Sequence, residues 1–178
     1  AAIAAMSVVS KVFMFALSAL LGFGQGFQPV CSYCFGAGLY NRVKKACWFC
    51  IRVSTIILLV LSVISFPAAR SIITLFRRND PTVIEIGTLA LRLQLITLPL
   101  QGAVIMGNMM PQSIGYGFRA TLVSTARQGI FLIPLLTIMA YTMGLLGIQC
   151  AQPLADIATF ILSLFVIRGI FKEFPEDA

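Results

Sequence analysis

Five long apolar runs, separated by short polar segments, constrain the fold of this chain more than any other feature. A helix needs about 20 mostly apolar residues to cross the hydrocarbon core of a membrane, and each run is long enough. The runs cover approximately residues 7–35, 49–75, 83–114, 120–143 and 145–171. Hydrophobic residues make up 59% of the 178-residue chain and charged residues only 11%, which argues against a water-soluble fold. The sequence therefore predicts an all-α, polytopic transmembrane helical bundle.

The chain begins in an apolar run instead of a targeting segment. Residues 1–10 lack the basic leader of a signal peptide, and the first residue is not Met. We therefore expect that the amino-terminal portion of a larger protein is missing from this chain.

Basic residues give the chain a formal net charge of +7, but they lie between apolar runs and form no single patch with interleaved aromatic side chains. This distribution argues against nucleic-acid binding and follows the bias of Lys and Arg toward cytoplasmic loops. Because successive spans alternate in direction, the first loop, the third loop and the carboxy-terminal tail share one side. That side carries Arg42, Lys44, Lys45, Arg119, Arg168 and Lys172, and the other carries Lys11, Arg70, Arg77 and Arg78. The sequence predicts a multi-pass plasma-membrane protein with a cytoplasmic carboxy terminus.

Polar residues recur every seven positions in three of the predicted spans, which places them along one face of each helix. The first span carries Lys11, Ser18, Gln25 and Ser32, with Gln28 beside them. The third carries Gln94, Gln101 and Asn108, and the fifth carries Gln149, Gln152, Asp156, Thr159 and Ser163. Lipid cannot satisfy such groups, so these stripes are expected to face inward. They either line a wet cavity or join helices through hydrogen bonds worth about 0.6 kcal/mol each.

The cavity hypothesis selects six polar residues as candidate substrate contacts. They are Gln25, Gln28, Gln94, Gln101, Asn108 and Gln152. Met106, Met109 and Met110 would add adaptable apolar contact to varied substrates, unless they only fill the core.

Two charged side chains lie deep inside predicted spans. Arg92 and Asp156 are both roughly 16 to 18 Å from the predicted external face, at the helical rise of about 1.5 Å per residue. An isolated charge at this depth costs at least about 2.5 kcal/mol, so we expect Asp156 to pair with a cation, either Arg92 or Arg127. Two interpretations remain open, a fixed structural ion pair or a site that responds to protons or other ions.

Three residues, Gly24, Gly26 and Pro29, interrupt the first span. Pro removes a backbone donor and Gly loosens a helix, so this segment is predicted to kink or unwind. Interrupted helices often border the substrate path of transporters. Close packing of another helix against the small residues is the alternative.

Two CxxC pairs, Cys31 with Cys34 and Cys47 with Cys50, superficially resemble a zinc ribbon. Each pair lies in apolar helix and not in a knuckle turn, so the thiols are interpreted as small hydrophobes and no metal site is predicted. The sequence has no His, which excludes His-dependent triads and zinc-protease motifs, and it lacks a phosphate-binding loop motif. We predict a protein that is not an enzyme, has no cofactor and draws on an ion gradient.

Several segments together resemble the carboxy-terminal lobe of multidrug and toxic compound extrusion (MATE) transporters. They are GFGQGFQPVCSYCFGAGLYNRVKKA (22–46), FPAARSIITLF (66–76), NDPTVIEIGTLALRLQ (79–94), TARQGIFLIPLL (125–136) and GLLGIQCAQPLAD (144–156). The resemblance follows the family's order over nearly the whole chain.

This resemblance implies the last five helices of a twelve-helix transporter whose missing amino-terminal lobe would be the partner of this chain. It also implies antiport, in which sodium ions or protons enter while amphipathic, often cationic, organic compounds leave. Cys34 stands where related sequences usually have Asn, and the span that carries a coupling carboxylate in some members has Glu85 near its external end. Coupling would then reside in the missing lobe or at Asp156. A flippase for lipid-linked saccharides and a stand-alone membrane scaffold or partner subunit are the alternatives.

Overall fold

The computed structural model describes residues 2–76 and 81–175, and these form five apolar helical spans long enough to cross a membrane. The first two spans are the continuous helices α1 and α2, at Ala2–Gly36 and Tyr40–Phe76. Residues 37–39 join them, and Gly38 has a φ of +73°, which glycine adopts without steric cost. The predicted all-α membrane fold is confirmed.

The second span begins earlier than the sequence predicted. The expected start was Phe49, with residues 36–45 as the connecting segment, whereas α2 begins at Tyr40. Long basic residues such as Arg42 and Lys45 do not interrupt a helix, because they have good helix propensity and their charged ends reach water from the membrane edge. The basic segment is therefore the first part of α2.

The third span changes helix type near its middle. It consists of α3, a 3-10 turn and α4, at Pro81–Thr97, Leu98–Leu100 and Gln101–Ser113. Pro99 lacks a backbone donor and its ring crowds the preceding turn, which accounts for the local change. The sequence predicted a third span over approximately residues 83–114 and did not predict this change of helix type.

The fourth and fifth spans form a helical hairpin. The fourth consists of α5, a π-helical segment and α6, at Gly117–Thr125, Ala126–Phe131 and Leu132–Met143. Gly144, with a φ of +59°, turns the chain into the fifth span, α7, at Leu145–Glu173. Segments of π-helix are rare and frequently occur at functional sites, so this one directs attention to the fourth span.

Helix α4 lies at the centre of the bundle, where it contacts α1, α2, α5 and α7. Glycines allow two of these neighbours to approach closely. A Cβ at Gly102 would lie 2.7 Å from Ser54 Oγ of α2, and one at Gly107 would overlap Ser163 of α7. Small residues serve this purpose in lipid, where no hydrophobic force drives helices together. The largest buried side chains include Leu58, Leu91, Leu98, Met106, Met110 and Ile167.

The first loop, the third loop and the tail meet at one end of the bundle. We call it the aromatic end, because four rings cluster there with centroids 5.3 to 5.8 Å apart: Phe35, Tyr40, Phe171 and Phe174. Ser32 Oγ donates to the carbonyl oxygen of Ser113 at 2.7 Å, and Arg119 pairs with Glu173. Of the basic residues assigned to the opposite side, two lie outside the described residues: Arg77 and Arg78.

Helix α1 continues through Gly24, Gly26 and Pro29, so the unwound stretch expected there is not found within residues 2–36. A Cβ at Gly24 would overlap the thioether of Met109 in α4, whereas nothing lies within 4 Å of a Cβ at Gly26. Gly24 therefore serves the close helix packing that was the alternative to a break.

Gly147 provides a test of the hairpin between α6 and α7. A Cβ at this position would overlap the main-chain carbonyl of Met139, which cannot move aside as a side-chain end can. We expect Gly147→Ala to lower the free energy of unfolding by about 1 to 3 kcal/mol, the usual cost of overpacking. Thermal unfolding of the complete polypeptide in detergent measures the change. Gly169→Ala is the matched control, since Gly169 lies in the same helix with open space around it; equal destabilisation would contradict the packing assignment.

Candidate functional site

Polar side chains cluster inside the bundle where the 3-10 turn and the π-helical segment meet α7. We call this cluster the polar centre; it comprises Gln101, Arg127, Gln152 and Asp156. Gln101 directly follows the 3-10 turn, Arg127 lies in the π-helical segment, and Asp156 comes shortly after Pro153 in α7. Both the 3-10 turn and the π-helical segment contact α7. The irregular backbone thus positions the side chains that surround the carboxylate.

The centre is organised by a buried ion pair. Asp156 is fully buried, and Arg127 Nε donates a hydrogen bond to its Oδ1 at 3.3 Å. The side chains of Gln101 and Gln152 lie near this carboxylate. The Arg127 side chain is 20% exposed, so the pair links a buried carboxylate to a more accessible guanidinium. Breaking such a pair from one side leaves an uncompensated buried charge, so Arg127 favours the ionised form of the Asp156 carboxylate.

The polar centre retains unused hydrogen-bonding capacity. Within the described part of the chain, Asp156 Oδ2 and both amide atoms of Gln101 are buried without a hydrogen-bond partner. Unpaired buried polar atoms are rare in folded proteins, and each calls for an explanation. A carboxylate oxygen can take up a proton, and carboxylate and amide oxygens are ligands of hard cations. The arrangement is therefore chemically suited to bind a proton or a small cation.

The sequence predicted either Arg92 or Arg127 as the cationic partner of Asp156, and in the structure the partner is Arg127. Arg92 is exposed, and its guanidinium lies 5.4 Å from the ring centroid of Phe66. An aromatic face stabilises a cation without a carboxylate. Arg92 was considered as a partner because it was predicted to lie at the same depth in the membrane as Asp156. The structure shows that this equal depth does not bring the two side chains into contact.

A cavity of about 210 Å³ adjoins the polar centre, between α1, α4 and the fourth span. Arg127 belongs to both, because its side chain also lines the cavity. The other lining residues are Leu17, Leu21, Val104, Ile105, Asn108, Met109, Val123, Ser124 and Gln128. A mostly apolar wall with a few convergent polar groups is typical of sites for small organic molecules.

The six predicted substrate contacts occupy different environments. Asn108 lies on the cavity wall, whereas Gln101 and Gln152 belong to the polar centre. Gln94 is buried and is not among the residues that line this cavity. The structure therefore brings half of the predicted set to the cavity and the adjoining ion pair.

The polar stripe of α1 is not brought to the polar centre. Gln25 is exposed, as are Lys11 and Ser18 of the same stripe. Gln28 is half-buried, and its Nε2 donates to Gln112 Oε1 at 3.2 Å near the aromatic end. In the described part of the chain, the stripes of the third and fifth spans meet inside the bundle, and the α1 stripe faces outward.

Several stripe residues join helices instead of lining the cavity. Ser163 Oγ donates to the carbonyl oxygen of Ala103 at 2.8 Å, which ties α7 to α4. Gln149 Nε2 donates to the carbonyl oxygen of Ile86 at 3.2 Å, which ties α7 to α3. These contacts match the interhelical hydrogen bonds that were the alternative to a cavity.

The CxxC cysteines pack inside the bundle. Cys31 and Cys47 are fully buried in the hydrophobic core, and Cys50 is nearly so. Among the described residues, no group of three or more His, Cys, Asp or Glu side chains is arranged to hold a metal ion. The thiols fill space between apolar neighbours, as small hydrophobes do.

Ser124, Gln128 and the π-helical segment were not identified from the sequence. Gln128 directly follows Arg127, and both line the cavity. In an ideal α-helix, neighbouring residues point about 100° apart, so a search for polar residues seven positions apart does not group this pair. Pro99 was a visible signal for the 3-10 turn.

Comparisons with known proteins agree with this architecture. The profile of the MatE family matches residues 1–138. The multidrug export protein MepA of Staphylococcus haemolyticus is 26% identical over 176 residues, which cover 99% of this chain and 38% of MepA. The MATE transporter VcmN of Vibrio cholerae, in its bent form, has a TM-score of 0.90 at 19% identity and covers 97% of this chain and 39% of its own. The MATE multidrug transporter DinF-BH has a TM-score of 0.83 at 30% identity over 92% and 36% of the two chains.

The chain therefore belongs to the MatE family, and the resemblance found in the sequence is confirmed. It is part of a multi-pass membrane protein and spans 38% of the length of the MepA relative. Members of the family are transporters, which confirms the prediction of a protein that is not an enzyme.

Loss of the cation tests the ion pair. Arg127→Gln leaves Asp156 buried and unpaired, and we expect it to lower the free energy of unfolding by about 3 to 5 kcal/mol. The double variant R127Q/D156N removes both charges and should regain most of this loss. Thermal unfolding of the complete polypeptide in detergent measures all three states. Arg92→Gln removes an exposed cation and should cost less than about 1 kcal/mol; an effect as large as that of Arg127→Gln would disprove the assignment.

Proposed function

We propose that the complete protein is a secondary antiporter of the plasma membrane that exports amphipathic or cationic organic compounds in exchange for sodium ions or protons. The proposal rests mainly on one observation. The side chain of Arg127 both lines the cavity and pairs with the buried carboxylate of Asp156. The substrate class is supported by the relatives, which are described as multidrug export proteins or, for DinF-BH, as a multidrug transporter.

The shared guanidinium gives antiport a simple electrostatic basis. With Asp156 ionised, the charges of the pair cancel and the cavity wall can accept an organic cation. A proton or sodium ion at Asp156 would neutralise the carboxylate and leave Arg127 positively charged beside the cavity. Two positive charges about 8 Å apart repel by about 2 kcal/mol at an effective dielectric constant of about 20. Binding of the coupling ion and binding of the organic cation would therefore oppose each other.

The outward-facing polar stripe of α1 supports a further protein partner. Lys11, Ser18 and Gln25 are exposed, and acyl chains cannot satisfy polar groups of this kind. We propose that the amino-terminal lobe of the same protein covers this face and that the substrate path runs between the two lobes. The basic residues near the aromatic end favour a cytoplasmic position for that end and for the carboxy terminus.

The two alternatives from the sequence have less support. A flippase for lipid-linked saccharides and a stand-alone scaffold are not favoured by relatives described as multidrug export proteins. The cavity wall is mostly apolar, which suits an amphipathic compound better than a saccharide.

Transport by the complete protein in liposomes tests the proposal. A fluorescent organic cation should accumulate inside the liposomes when sodium ions or protons are more concentrated inside than outside, and collapse of that gradient should stop transport. Asp156→Asn keeps Arg127 permanently unpaired, so transport should fall by at least tenfold. R127Q/D156N restores a neutral site and should bind the dye without responding to the gradient. Gradient-driven transport by Asp156→Asn at the unaltered rate would reject this coupling site.

Asn108 tests the cavity itself. Asn108→Leu keeps the side-chain volume but removes the amide from the wall, at a cost of about 0.5 to 1.5 kcal/mol of binding. We expect up to about tenfold weaker export of compounds that hydrogen-bond there, with unchanged amounts of folded protein. Thr137→Val is the control, because Thr137 is exposed on α6 away from the cavity. Equal loss for both variants, or loss of folded protein in parallel with transport, would count against the cavity.

A further inference from the structure

One outward face of α2 changes from cationic to apolar along its length. At intervals of three and four residues it presents, in order, Arg42, Lys45, Phe49, Arg52, Ile56, Leu59 and Val63, and every one of these side chains is exposed. Residues at this spacing share one side of a helix. The four apolar members are between 51% and 65% exposed, so this part of the bundle surface is not covered by another described helix.

The length of α2 places the cations at a membrane boundary. The helix has 37 residues, and residues 53–69 contain no charged side chain. This uncharged segment is about 26 Å long at 1.5 Å per residue, which approaches the hydrocarbon thickness of about 30 Å. Arg52 and Arg70 stand at its two edges. The part of α2 before residue 53 therefore extends through the headgroup region at the aromatic end.

Among residues 2–76 and 81–175, no carboxylate pairs with the charges on this face. Helix α2 contains no Asp or Glu. In the described part of the chain, Glu173 is the carboxylate seen at the aromatic end, and it pairs with Arg119 of α5. Lys44 lies off this face, with its ammonium 5.8 Å from the Phe174 ring centroid. Arg42, Lys45 and Arg52 thus present positive charge outward, directly above exposed aliphatic side chains.

We propose that this face is a binding site for an anionic phospholipid. The negatively charged headgroup lies against Arg42, Lys45 and Arg52, and an acyl chain follows the apolar side chains from Ile56 onward. Lys and Arg at a membrane surface attract anionic lipid with about 1 kcal/mol each, which corresponds to about fivefold in affinity. A zwitterionic lipid of the same chain length gains little of this attraction. The site is independent of the proposed transport cycle, because it lies on the outer surface of α2.

Lipid binding to the complete protein in detergent tests the site. Native mass spectrometry is used to compare dioleoyl phosphatidylglycerol with dioleoyl phosphatidylcholine. We expect the unaltered protein to prefer the anionic lipid, and K45Q/R52Q to bind it about 25-fold more weakly, at about fivefold for each charge removed. R168Q/K172Q is the matched control, since it also removes one exposed Lys and one exposed Arg, but from α7 instead of this face; its affinity should be unchanged. K45R/R52K keeps the charges and should bind as the unaltered protein does, which separates lost binding from lost folding.

Four results would overturn the proposal. The unaltered protein could show no preference for the anionic lipid, or both double variants could lose affinity equally. Soluble glycerol phosphate could displace the lipid at equal concentration, which would identify a phosphate site and not a lipid site. Finally, a dimer that is present in the unaltered protein and absent in K45Q/R52Q would identify a second copy of the chain as the occupant.

Discussion

The pairing of a buried carboxylate with a guanidinium is the interaction around which the interior of this bundle is arranged. An ionised Asp156 among apolar helices is tolerated only if a cation and hydrogen-bonding groups reach it. Arg127 supplies the cation from the fourth span, and the side chains of Gln101 and Gln152 lie near the carboxylate. The packing of α4 and of the fourth span against α7 brings these groups to one point.

This requirement is reflected in the backbone. The 3-10 turn ends immediately before Gln101, and the π-helical segment contains Arg127, so both spans depart from the α-helix where they supply a group to the centre. An extra residue within a helical turn alters the directions of the side chains around it, which can point Arg127 and Gln128 toward the same region. The same departure joins the ion pair to the cavity, because Arg127 belongs to both.

Much of the architecture was predictable because the membrane imposes simple conditions on the sequence. Apolar runs of sufficient length give five spans, and alternation of direction brings the first loop, the third loop and the tail to one end. Prediction from the sequence failed where the outcome depends on how each helix is rotated about its own axis. Arg92 and Arg127 were both acceptable partners for Asp156, since depth along a helix follows from residue number but contact depends on which face each helix turns toward the other. Gln25 and Gln101 likewise fit the same seven-residue pattern, yet one is exposed and the other is fully buried.

By itself, the sequence determined that this chain lies in a membrane, how many spans it has and approximately where they lie. It also determined the absence of imidazole chemistry and the family to which the chain belongs. These properties follow from composition and order along the chain. Tertiary structure alone decided which polar stripes meet, which arginine neutralises Asp156, and where the cavity lies. Those outcomes depend on the rotation and close approach of helices, which are set by small contacts such as Gly107 against Ser163 and by local departures from α-helix that hydrophobic periodicity does not encode.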